Sequence, residues 1–280
     1  MSTSYLPEPA FIQGERGPLF SLHCAPVAGI ERHECLVVVP SFSEEMNRCR
    51  YMTTMLAQAL APNGVGMLTV DPYGTGDSAG EFEDADWQQW VLDIRRAISY
   101  AKELGYHRVS LLAIRLGALL ACEAMTALTD IHRLILWQPV VSGKSSLHQF
   151  LRIKIAASIG RDEEAGSIAQ FEEVLDRGQS IQVAGYDISP ALYAGIQSAH
   201  LDGCAASVNC PVAWFTVLAS EERKTPRPDQ KTMELWRSRG IDLEHHTVIG
   251  PAFWQAHERT LAPTLVEATA ALILERGESA

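Results

Sequence analysis

HRVSLLAIRLGALLA (His107–Ala121) is the stretch on which the reading of this chain turns. Its first half, to Ile114, is short, apolar and free of turn residues, as expected of a buried strand. Its second half begins a helix expected over Leu116–Leu128, rich in alanine and leucine, which form helices readily. No loop separates the two. Arg115 stands at the junction, a permanent cation between two apolar elements. A guanidinium buried there without a partner would cost several kcal/mol, so a carboxylate or a bound anion is required beside it.

Outward from this junction the chain alternates strands and helices. Upstream lie two extended stretches, Ala10–Glu15 and Leu19–Cys24, then a buried strand Cys35–Val39 closed by Pro40. A helix over Glu44–Ala61 follows from the spacing of Met46, Met52, Met55, Leu56 and Leu60, and Asn63–Gly64 ends it. Strand Val65–Val70 and helix Asp86–Leu104 complete the upstream half. Downstream come strand Arg133–Trp137, strand Pro211–Leu218, helix Gln230–Arg239, strand Leu243–Ile249 and helix Gln255–Leu274. Apolar strands alternating with helices predict an α/β fold with a mostly parallel sheet covered on both faces. Residues 143–206 break the alternation with helical sequence of mixed polarity, expected as a cap inserted into one domain spanning 1–280.

The 280 residues carry a net charge of −11, which disfavours nucleic acid and anionic membrane surfaces as partners. No apolar run approaches the roughly 20 residues that span a bilayer, and no signal peptide is visible, so a cytoplasmic location is expected. Cys24, Cys35, Cys49, Cys122, Cys204 and Cys210 show no metal-ligand spacing and read as reduced, mostly buried thiols. Neither a metal nor a cofactor is expected.

Two segments resemble one fold family. VGMLTVDPYGTGDSAG (Val65–Gly80) resembles the D-x-x-G-x-G-x-S segment of α/β-hydrolases, in which Asp71 and Ser78 bond the turn and do no chemistry. His107–Ala121 matches the strand–elbow–helix frame that reads G-x-S-x-G in an active hydrolase. Here the elbow is Ala113-Ile114-Arg115-Leu116-Gly117, with arginine where the nucleophilic serine belongs. A guanidinium cannot attack a carbonyl. The acid position after the penultimate strand offers Glu221 and Glu222. The histidine position after the last strand is held by Phe253. His257, at the expected start of the final helix, is a candidate displaced base, while His245 and His246 fall within the strand. Cys122, two turns behind the elbow and expected to be buried, is a poor nucleophile. The triad therefore reads as incomplete.

Four further segments narrow the resemblance: Pro40–Arg48 (PSFSEEMNR), Leu136–Lys144 (LWQPVVSGK), Val183–Pro190 (VAGYDISP) and Gly250–Gln255 (GPAFWQ). Each is similar to a segment of the exosortase A system-associated hydrolases of the second type, and together they span nearly the whole chain. That family resembles this chain at the elbow too, with L-R-L-G-A. The resemblance implies a setting in exopolysaccharide synthesis and in sorting of exported proteins. Fold analogy alone gives weak warrant for hydrolysis.

Around the elbow, Ser41, Phe42, Glu44, Glu45, Arg115, Leu116, Trp137, Phe253 and Trp254 are the expected walls of a ligand pocket, since parallel sheets bind ligands at this end of their strands. Glu44 and Glu45 suit two roles: helix N-terminal acids favoured by the dipole, or partners of Arg115. A glutamate on Arg115 would plug the site and favour a structural role. A free Arg115 would fork onto a carboxylate or phosphate ligand. Helix Asp86–Leu104, with Trp87 and Trp90, reads as a cover helix. Lys144 and Lys154 read as solvated. The leading expectation is a protein that binds an acyl or acidic small molecule, free or carrier-bound. The alternatives are an acyl hydrolase or transferase using another nucleophile or an activated water, and a scaffold holding a protein partner from the same locus.

Overall fold

A computed structural model describes residues 6–29, 33–159, 166–255 and 260–275. The chain opens with β1 (Glu8–Gln13), β2 (Pro18–Cys24), β3 (Glu34–Val39), α1 (Glu44–Leu60), β4 (Val65–Val70), α2 (Trp87–Glu103), β5 (Arg108–Ile114), α3 (Gly117–Ala124) and β6 (Ile131–Trp137). It continues with α4 (Gly143–Ile159), α5 (Ile168–Asp176), β7 (Ile181–Val183), β8 (Tyr186–Ile188), α6 (Pro190–Ser198) and α7 (Leu201–Cys204). The last elements are β9 (Val212–Leu218), α8 (Arg227–Ser238), β10 (Leu243–Ile249) and α9 (Pro263–Glu275).

The main sheet has the order β1-β2-β4-β3-β5-β6-β9-β10. β1 and β2 are antiparallel, as is the β2–β4 pairing, and every pairing from β4 to β10 is parallel. All six residues of β3 are buried, as are the last six of β5, because helices cover both faces. On one face α2 and α3 pack with Val37, Leu111 and Leu134. On the other, α1 and α9 pack with Leu36, Leu112 and Ile135. The expected α/β architecture is the observed one.

Between β6 and β9 the described residues add no strand to this sheet. They form α4 to α7 and a separate hairpin, β7–β8. The expected final helix needs correction: Gln255 lies in a turn, and α9 starts at Pro263, a residue suited to a first helical position.

Candidate functional site

β5 runs into α3 through Arg115, whose φ of 56° is in the left-handed region. Such a backbone costs a side-chain-bearing residue about 1–3 kcal/mol and persists only where neighbours over-determine it. Here they do. The Arg115 amide donates to Trp137 O at 3.0 Å, and its carbonyl accepts from Ala118 N at 3.1 Å and Val140 N at 3.0 Å. Gly117 seals the turn: a Cβ there would lie 2.4 Å from Pro40 O and 2.5 Å from Val39 O. The strained elbow is intact, and its tip carries a guanidinium.

That guanidinium is almost covered, with 11% of its side chain exposed. Nε lies 3.3 and 3.4 Å from the two carboxylate oxygens of Glu45, and Nη2 lies 3.4 Å from Oε1. Nη1 donates to Gln138 O at 3.0 Å. The indole of Trp254 lies 4.9 Å from the guanidinium carbon, a cation–π contact. The Glu45 distances exceed the 2.7–2.9 Å usual for charge-assisted bonds, so the pair is close but not tight. Burial raises the Glu45 carboxyl above the usual range, and the attraction of Arg115 offsets only part of that rise.

Glu44 takes a different partner. Its Oε1 accepts from the Tyr186 hydroxyl at 3.1 Å, linking the start of α1 to β8. Both glutamates sit in the first turn of α1, where the helix dipole favours acids. The two roles weighed from sequence therefore hold together.

Two cavities flank the elbow. One, of about 270 Å3, lies between the β3–α1 loop (Ser41, Phe42, Ser43), Leu116 and Gly117, the turn before α2, and the β7–β8 hairpin. Phe42, Phe82, Trp90 and Tyr186 give it aromatic walls, with edge contacts of 5.0 Å between Phe82 and Tyr186 and 6.0 Å between Phe82 and Trp90. The amides of Phe42 and Leu116 make no turn or cap hydrogen bond among the described residues. They belong to the two segments from which hydrolases of this frame build an oxyanion hole. The second cavity, of about 420 Å3, lies between the β6–α4 connection and the start of α8, with Arg115 on its wall.

A family model described as serine aminopeptidase, S33 matches residues 31–172, just over half of the chain. The chain belongs to the S33 family. Solved structures of similar fold include Est1E from Butyrivibrio proteoclasticus with ferulic acid bound (16% identity, 95% of this chain and 98% of that chain covered, TM-score 0.64). A thermostable carboxyl esterase from Bacillus coagulans, in complex with glycerol, is 11% identical over 96% and 98% of the two chains, with a TM-score of 0.66. Proline iminopeptidase from Mycobacterium smegmatis is 16% identical over 96% and 98%, with a TM-score of 0.61. No curated protein sequence matches the chain. At these identities the structural likeness establishes the α/β-hydrolase fold alone.

The other catalytic candidates named from the sequence are placed as follows. Glu221 and Glu222 lie in an exposed turn after β9, and Glu221 lines a shallow cavity away from Arg115. A hydrogen bond from Ser220 holds the Glu222 carboxyl below its ordinary range. His245 and His246 lie on β10, the first 3.0 Å from Thr216 Oγ1 and the second stacked on Phe215. His257 lies outside the described residues. A hydrogen bond with Cys204, with burial added to it, pushes the Cys122 thiol well up, as suits an inert residue.

Five of the nine expected pocket walls are corrected: Glu44, Glu45, Trp137, Phe253 and Trp254 line neither cavity beside the elbow. Trp137 is fully buried in the core and donates from Nε1 to Thr269 Oγ1 at 2.9 Å. Phe253 is 2% exposed and packs edge-on against Trp137 and Trp254. Both side chains cover the α1–α9 face of the sheet. Trp254 meets Arg115 rather than either of the two cavities beside the elbow. Ser41, Phe42 and Leu116 do line the aromatic cavity.

Sequence reasoning missed Phe82, Tyr186, Gln138 and Asp229, and it took Trp87 and Trp90 for cover residues although both line the aromatic cavity. The signal for Asp229 was available. In Pro226-Arg227-Pro228-Asp229 the acid opens a helix, where its carboxylate is oriented.

Proposed function

We propose that this S33-family chain binds a small acyl or acidic molecule beside the elbow and does not cleave it by serine chemistry. The observation that carries this reading is the state of the elbow tip. Arg115, which we read as standing at the nucleophile position, is held by Glu45, Gln138 and Trp254, while an aromatic-walled cavity stays open next to Leu116 and Gly117. The apolar part of a ligand would lie among Phe42, Phe82, Trp90 and Tyr186. Its oxygen would take the amides of Phe42 and Leu116. Residues 143–206, read as a cap, would cover the cavity through the β7–β8 hairpin and the Tyr186–Glu44 bond. The four motif resemblances support a place in a cell-envelope polysaccharide or protein-sorting pathway.

A scaffold role is the second reading, favoured by the same Arg115–Glu45 contact, because a plugged nucleophile site needs no ligand. Thermal unfolding with octanoate and trans-cinnamate as probes separates the two. Binding to the folded state alone raises Tm in a saturable way, and Phe82→Ala should weaken it roughly tenfold, consistent with loss of a buried aromatic wall. No saturable shift with either probe, or a shift indifferent to Phe82→Ala, would leave the scaffold reading.

A further inference from the structure

The second cavity holds chemistry that the aromatic one lacks. Asp229, at the third position of α8, is 6% exposed. Among the described residues its carboxylate takes no side-chain hydrogen bond and no ion pair from another residue, and Arg115 lines the same cavity wall. A buried carboxylate without a cationic partner is destabilising, and one on a cavity wall is a candidate binding group. The same cavity is lined by Gln138, Ser142, Ser146 and His200. At about 420 Å3 it falls within the range of small-molecule sites.

We propose that this cavity binds a neutral polyhydroxylated molecule, of the size and chemistry of a sugar ring. The charges on its wall exclude the simpler ligands. Arg115 and Asp229 both line this wall, so an anion drawn to the first meets the second. A cation drawn to Asp229 meets Arg115 in the same way. A neutral hydroxyl compound meets neither penalty, since each hydroxyl both donates and accepts. It can donate to Asp229 and accept from Arg115, whose five N–H groups are only partly used by Glu45 and Gln138 O. Ser142 and Ser146 supply hydroxyls from the β6–α4 connection and the first turn of α4. This site is separate from the aromatic cavity and does not depend on what that cavity binds.

Saturation-transfer NMR on the full chain tests the proposal. The probes are the methyl glycosides of glucose, galactose, mannose and N-acetylglucosamine, with acetate and methylammonium as charged controls. At least one glycoside should bind saturably. Asp229→Asn, which keeps the shape but replaces an acceptor with a donor, should weaken binding roughly tenfold, the effect of losing one hydrogen bond to a charged group. Ser146→Ala, on a different element, should weaken it in the same direction. Phe82→Ala in the aromatic cavity should leave it within about twofold, as expected of independent sites. No saturable glycoside, unchanged binding in both Asp229→Asn and Ser146→Ala, or Asp229-dependent binding of acetate or methylammonium instead would each overturn the proposal.

Discussion

Arg115 Nε lies 3.3 Å from Glu45 Oε2, so the turn between β5 and α3 and the first turn of α1 are joined by an ion pair. Two elements that in a hydrolase flank the substrate are here tied to each other. The aromatic cavity beside Leu116 and Gly117 is left open.

The pair should matter to stability because the guanidinium is mostly covered. Glu45→Ala would leave Arg115 with Gln138 O and Trp254 as partners, and removing one member of a partly buried pair should destabilise by about 1–3 kcal/mol. Denaturant unfolding measures this. Unchanged stability would mean the contact is incidental. Glu44→Ala, which loses only the exposed bond to Tyr186, should fall well below that range.

Arg115→Ser alone should not create an efficient esterase. Triad members act as a unit, and a serine without its base loses several orders of magnitude in rate. Phe253, read from the sequence as standing near the histidine position, is buried against Trp137 and Trp254. Turnover of 4-nitrophenyl butyrate by the single variant at rates typical of enzymes would reveal a working base. His257 would be the first residue to replace.

The strand–helix turn depends on Gly117. Gly117→Ala places a methyl group within 2.5 Å of two backbone carbonyl oxygens, Pro40 O and Val39 O. The β3–α1 loop must then move, at a cost of about 1–3 kcal/mol typical of overpacking. A variant as stable as the wild type, by thermal unfolding, would show that the loop is not held against the elbow.

Burial raises both Asp93 and Asp229 to about 6. A folded-state value above the unfolded one means that the folded protein binds more protons between about pH 4 and pH 6. Stability therefore falls as pH rises through that window, by on the order of 3 kcal/mol per group. Asp229→Asn removes its share. The variant should be more stable than wild type at pH 7.5 and equal to it near pH 4. A difference that does not change with pH would contradict the raised value.

Much of the fold was legible because buried parallel strands are nearly continuous apolar runs. Val65–Val70 and Leu243–Ile249 are observed at the expected bounds, and β3 and β5 differ by one residue each. The elbow was legible because strand and helix patterns meet with no loop between them. The site was less so. Trp87 and Trp90 share an amphipathic helix pattern that looks the same whether the apolar face meets core or cavity. Trp137 and Phe253 sit at strand ends that suit either place, and only packing put them in the core. Which glutamate meets Arg115 depends on the angle at which α1 leaves the β3 loop, where Ser43 takes a φ of 53° that composition does not reveal. The start of the last helix is set by Pro263, whose fixed φ suits a first helical position, and the apolar spacing from Gln255 onward does not show it.

The most direct measurement of the central claim is the intact mass of the full chain after mild treatment with a fluorophosphonate. Such probes label serines activated by a neighbouring base, and the elbow tip here is an arginine held by Glu45 and Trp254. The account predicts an unchanged mass. A stoichiometric adduct on any serine, with Ser41 and Ser43 beside the aromatic cavity the first to examine, would show that the chain has a working nucleophile after all.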